Sequence, residues 1–248
     1  MELHEWKNRF LEYTEIEKGR SILTVSNYDR YIERFIEHSK LKNPEDITAE
    51  VVREYRLWLN RQFANSGRRG VPGSTLKKRT QNYYLIALRA FLKYLTRQGV
   101  KVLPPENIEL AKVSERELDL ISGKDLLNLL NAPNGSDLAS LRDRAILELL
   151  FSTGLRVSEL CGLSRDLDLS RDEFSVRGKG EKVRVVFLSD TAKTVLREYL
   201  AKRTDVDDAL FVQIGRGGEA GQARKKGSLR LTTRSVERIV KHYAVKAG

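Results

Sequence analysis

TGLRVSEL (residues 153–160) ends one apolar helical stretch and begins another, with a single arginine at the join. Gly154 stops the preceding stretch, SDLASLRDRAILELLFSTG. The first turn of the next helix is the positive end of its dipole, so a cation gains nothing there. Glu159 suits that end, but arginine preceding glutamate is the less favourable order for a helical ion pair. Local structure therefore leaves Arg156 without a reason, and an anion brought to that helix start would supply one.

Outward from this join, the pattern changes to alternation. DLDLSRDEFSVRGKGEKVRVVFLS reads as two strands, with Val183, Val185 and Phe187 on one side and Phe174 and Val176 pairing with them across a turn. At the tip, RGKGEKVR places Gly178 and Gly180 around Lys179, allowing positive φ and close backbone approach to a ligand. Lys179, with Lys182 beside it, can be pushed into a groove of DNA without moving the sheet beneath. The P-loop pattern is absent, so nucleotide hydrolysis is not predicted. ISGKDLLNLLNAP and TAKTVLREYLAKR read as helices and ALFVQI as a short strand. GRGGEAGQARKKGS is a Gly-rich basic loop, and LTTRSVERIVKHYAVKAG, which carries Arg234, is a final amphipathic helix.

Residues 1–98 read as helices throughout. Leu3, Trp6, Phe10, Leu11 and Tyr13 form one apolar stripe, and Tyr28, Tyr31, Ile32, Phe35 and Ile36 a second. Thr48 caps a third helix, and Ser74 a fourth that Gly99 ends. KVLPPENIELAKVSEREL, with its Pro-Pro pair, reads as an interdomain linker. The expected organisation is an all-α domain over 1–98, a linker over 99–117, and an α+β domain over 118–248 with a small antiparallel sheet.

The charge is unevenly placed. The chain of 248 residues has a net charge of +11, and from Tyr55 to Pro105 there are eleven Lys or Arg and no Asp or Glu. Arg68 and Arg69 lie in a loop of that block, and Lys77, Lys78, Arg79, Gln81 and Asn82 near the start of the fourth helix. These are residue types that contact phosphates and base edges from the major groove, so duplex DNA is the predicted partner. A membrane is not, since no apolar run approaches the roughly 20 residues that span a bilayer. The polar start MELHEWKNRF has no signal-peptide core. The single cysteine, Cys161, fits a reducing, cytoplasmic setting, and the scattered histidines offer no zinc site.

Taken together, TGLRVSEL, the RGKGEKVR hairpin and the basic helical region before them resemble the tyrosine recombinases, especially the Xer-type and phage-integrase-like members. The resemblance implies a four-helix, SAM-like core-binding domain followed by the family's catalytic domain. It implies that Arg156 grips the non-bridging oxygens of the scissile phosphate, that Glu159 supports the site, and that Lys179 is general acid to the departing 5′ oxygen. Arg68, Arg69, Lys77, Lys78, Arg79, Gln81, Asn82, Lys182 and Arg234 would contact DNA. A permanently charged guanidinium suits a phosphoryl-transfer transition state without any metal, so no cofactor is implied. Full-length relatives act as tetramers on paired sites.

One part of the family pattern is missing. An HxxR motif and a nucleophilic tyrosine should follow, but the histidines are His4, His38 and His242, and Val245 stands where HxxR needs arginine. Tyr243 reads as a packing residue of the last helix. The expectation is a chain truncated before those groups and inactive alone. A non-catalytic DNA-binding protein, architectural or regulatory, is the alternative; an RNA-binding protein lacks its signatures.

Overall fold

A computed structural model describes residues 1–63, 75–114, 119–178, 180, 182–215 and 228–248. The chain divides into two compact units, Met1–Glu117 and Leu118–Gly248.

The first unit is helical: α1 (Leu3–Ile16), α2 (Ile22–Ser39), α3 (Ala49–Arg61) and α4 (Lys78–Arg97). Ser21 and Thr48 accept the amides of Thr24 and Val51, which starts α2 and α3 as short polar side chains do. The apolar stripes meet in a core that fully buries Phe35, Tyr55, Phe91 and Leu95. Phe35 and Tyr55 meet edge to face at 5.1 Å. The residue expected to cap α4, Ser74, lies outside the described residues. The helix starts at Lys78, and Gln81 secures that end by donating from Nε2 to the Leu76 carbonyl at 2.7 Å.

The expected linker is largely not a linker. Ile108 is fully buried in the helical core, and Val100, Val102, Leu103 and Leu110 pack against it. Asn82 fixes the segment further, accepting from the Ala111 amide at 3.0 Å and donating to its carbonyl at 2.9 Å. A 3₁₀ turn at Pro105–Asn107 lets the Pro-Pro pair fold the chain back instead of extending it.

The second unit contains α5 (Gly123–Asn131), α6 (Leu138–Thr153), α7 (Val157–Gly162), β1 (Glu173–Arg177), β2 (Val183–Phe187), α8 (Asp190–Lys202) and α9 (Thr233–Ala247). Helix α6 is its central element, packing on α8, α5, α9 and the inner face of β2. The strands pair antiparallel, with Phe174 opposite Val186 and Val176 opposite Arg184.

That register corrects the sequence reading. Val183, Val185 and Phe187 do share one side, but it is the outer one, where they are 60%, 51% and 65% exposed. Val186 and Leu188 enter the core instead, and Arg184 shares their side. Period-two alternation fixes which residues share a face, not which face is covered. ALFVQI is likewise buried and extended but no strand. Ala209 bridges Ser164, while Val212 bridges Arg230, so no ladder forms. The turn into it is held by the fully buried Arg203, which pairs with Asp205 and donates to the carbonyls of Asp207, Ala209 and Leu210.

Candidate active site

Gly154 ends α6 in the left-handed conformation (φ 60°), buried Leu155 anchors the connection, and Arg156 follows as the N-cap of α7. Arginine has no acceptor to cap a helix with, so Glu159 supplies one from a turn later. Its Oε2 accepts the Arg156 amide at 2.8 Å, and its Oε1 accepts Nη1 of Arg156 at 2.8 Å. Arg156 thus has a local partner that the sequence order made unpromising.

The reason is a third residue that sequence reasoning missed. Arg184, on β2, reaches the same carboxylate with Nη1 on Oε1 and Nη2 on Oε2, each at 2.9 Å. Its hydrogen bonds, with those of the Arg156 amide and guanidinium, outweigh burial and hold the Glu159 carboxyl down at about 2. Glu159 is therefore an anion shared by two permanent cations, which leaves the cluster with an excess positive charge. The Glu159 side chain is 6% exposed, whereas Arg156 is 63% exposed. Nε and Nη2 of Arg156 have no hydrogen-bond partner among the described residues.

Gly178 lies against this cluster. A Cβ there would stand 3.1 Å from Glu159 Oε1 and 3.5 Å from Arg156 Nη1, so glycine is what permits the hairpin to close over it. The Gly178 amide donates to the Lys182 carbonyl at 2.8 Å, which shuts the turn, and Gly180 takes φ 73° within it. Lys179 itself lies outside the described residues. Beside the cluster opens a cleft of about 440 Å³, lined among others by Arg156, Ser158, Ser175, Arg177 and Gly178. Its cations and hydroxyls can hold a tetrahedral oxyanion.

The predicted DNA-contacting residues separate into kinds. Lys77, Lys78 and Arg79 are exposed at the start of α4, and Lys182 and Arg234 are exposed in the second unit. Arg68 and Arg69 lie outside the described residues. Asn82 gives both ends of its amide to Ala111, so it tethers that segment to α4. Gln81 spends its amide nitrogen on Leu76 and on Asn60 Oδ1 at 3.1 Å.

Tyr243 packs in the second unit, 7% exposed. Burial first, then the neighbouring Asp143 carboxylate, push its phenol up to about 12. A phenol so far from ionising at neutral pH is a poor nucleophile. Among the described residues, no group of His, Cys, Asp and Glu is disposed to hold a metal, and no helix is long and apolar enough to cross a membrane.

Residues 120–248 match the family model described as the phage integrase family, and residues 8–99 match that of the phage integrase N-terminal SAM-like domain. Tyrosine recombinase XerC of Thermodesulfovibrio yellowstonii is 32% identical over 96% of this chain and 75% of its own length. The XerC of Bacillus subtilis is 31% identical over the same shares. Among solved structures, a lambda integrase dimer bound to a COC′ core site aligns with a TM-score of 0.67 at 18% identity, covering 100% of this chain and 82% of that one. XerH recombinase bound to palindromic difH substrate aligns at 0.63 and 20% identity, covering 97% and 78%. At these identities the two structures show a shared fold.

Proposed function

Because the chain belongs to the phage integrase family, among its Xer-like tyrosine recombinases, we propose that it grips duplex DNA and presents part of a strand-cleaving site to one phosphate. The family's reaction is site-specific DNA recombination. The observation that carries the reading here is the Arg156–Glu159–Arg184 cluster, an exposed guanidinium held on a buried, doubly paired carboxylate beside an open cleft.

Arg156 binds the non-bridging oxygens of the scissile phosphate through its outward nitrogens, where a fork of donors matches developing charge. Glu159 and Arg184 act through Arg156, fixing its plane. In the complete recombinase, Lys179 protonates the departing 5′ oxygen as its bond to phosphorus breaks, while a tyrosine oxygen that gives up its proton forms the new bond to phosphorus. Losing one such preorganised donor costs on the order of 10² to 10³ in rate. Lys77, Lys78 and Arg79 contact the duplex from the first unit, and Lys182 and Arg234 from the second. The complete recombinase works as a tetramer on paired sites, in the cytoplasm, without metal or ATP.

These 248 residues contain no HxxR motif, and Tyr243 is buried and hard to ionise. By themselves they therefore bind DNA without forming a covalent bond to it. The test is a nicked suicide duplex incubated with the chain: retarded but wholly non-covalent complexes are expected. A denaturation-resistant protein–DNA band would overturn this part of the reading, and no retardation at all would overturn DNA binding.

A further inference from the structure

Resting on the DNA-binding reading, the structure points to a second contact, at the far end of α4 from Lys77–Arg79. We propose that the pocket between the C-terminal ends of α1 and α4 binds a phosphate of the duplex backbone. The pocket has a volume of about 270 Å³ and is lined by Lys18, Arg20, Lys93 and Arg97 together with Tyr13. Among the described residues, no carboxylate lines it, and none of its four cations has a carboxylate within ion-pair distance.

Two of the cations, Lys18 and Arg97, make side-chain contacts with Tyr13. The end of α1 winds shut through Gly19 (φ 54°), with the Lys18 amide on the Tyr13 carbonyl and the Arg20 amide on the Thr14 carbonyl, both at 3.1 Å. Arg97 donates from Nη1 to the Tyr13 hydroxyl at 2.9 Å, and the Lys18 ammonium lies 5.2 Å from the centre of the Tyr13 ring. The hydroxyl, already an acceptor, has its own proton left to donate. Beneath, Phe10 and Tyr28 stack at 5.9 Å, giving the pocket a stiff aromatic floor.

Four like charges around one pocket repel one another, and an oxyanion among them removes that cost. Helix dipoles favour cations at the ends of α1 and α4, but Lys93 precedes the last turn and a dipole needs no walled pocket or hydroxyl donor. A phosphate offers acceptors for all five groups. From Lys78 to Arg97 the helix rises about 28 Å at 1.5 Å per residue, or roughly eight steps of duplex at 3.4 Å each. The two ends of α4 would thus touch well-separated points of one backbone.

A phosphate oxyanion can come from the duplex or from free phosphate, and the experiment separates them. Duplex affinity of the full chain is measured across a salt series for wild type, Lys93→Gln/Arg97→Gln, Lys18→Gln/Arg20→Gln and Tyr13→Phe, with circular dichroism verifying each fold. Each double variant is expected to bind more weakly, its log–log salt slope flattening by roughly 0.9 for each phosphate it no longer neutralises. Tyr13→Phe should weaken binding a few-fold with the slope unchanged. Wild-type affinity and slope in both folded double variants would overturn the proposal. So would binding of inorganic phosphate at Tyr13, seen by NMR, with duplex binding untouched by the variants. A wild-type chain that binds no duplex would overturn the DNA-binding reading as well, which distinguishes the two failures.

Discussion

Arg184 and Glu159, 25 residues apart in the chain, meet through two parallel hydrogen bonds of 2.9 Å, one to each carboxylate oxygen. This fork ties the β-hairpin to the first turn of α7 and sets the oxygen on which Arg156 rests. Lysine, a point charge, cannot reproduce it.

The fork makes stability depend on pH in a specific window. Glu159 is held at about 2, below the ordinary glutamate value of 4.5. A depressed folded-state value means the unfolded chain binds the proton more readily, so the contribution is fully present above 4.5 and lost as pH falls towards 2. Urea midpoints of wild type and Glu159→Gln should differ most above about pH 5 and converge near about pH 2. A constant difference across that whole range would contradict the ionised cluster.

Arg184→Lys should keep the charge and lose the geometry. The Glu159 carboxyl carbon, followed by NMR, is expected to titrate at a higher pH than in wild type. An unmoved midpoint would mean that Arg156 alone holds the carboxylate.

Gly178→Ala tests the close approach. Its Cβ would meet Glu159 Oε1 at 3.1 Å, so the carboxylate must give by a few tenths of an ångström. The same titration should move upward, and duplex affinity should fall modestly. Ala at Gly180 strains a φ of 73° without meeting any atom, and should cost stability while leaving the Glu159 titration in place.

Asn82→Ala removes two hydrogen bonds to the backbone of Ala111. At about 1 kcal/mol each, the first unit should lose about 2 kcal/mol, and the segment at 99–114 should become protease-sensitive. Base preference in a random-site selection should not change. A changed preference would return Asn82 to the DNA-reading face.

Arg156→Ala removes one partner of the buried Glu159 carboxylate but leaves the Arg184 fork, so the chain should still fold, with a modestly lower unfolding midpoint. If the guanidinium holds a phosphate, the salt dependence of duplex binding should flatten by roughly 0.9. An unchanged slope would remove Arg156 from the interface.

The helices were legible because their signals are local: Thr48 as a cap, Gly154 and Gly99 as stops, and apolar stripes at helical spacing. The join at 153–160 was legible for the opposite reason, since no local rule explained Arg156. What escaped depends on partners distant in sequence. Arg184 carries no local signal within VRVVF, and only the pairing with β1 turns it towards Glu159. Asn82 looked like a DNA reader until the chain returned 29 residues later to use both ends of its amide. Ile108, an isolated apolar residue after two prolines, carried no periodicity to show that it is core.

Ile108 also decides where the molecule can be divided. A fragment ending at 98 follows the obvious boundary in the sequence, yet it removes a fully buried side chain and the tether at Ala111. It would leave an apolar socket open to water and should aggregate. A fragment ending at 114 retains its own plug. The strap over 99–114 is thus a built-in lid for the helical unit's base, and that unit's solubility as a separate piece depends on a stretch the sequence presents as mere spacer.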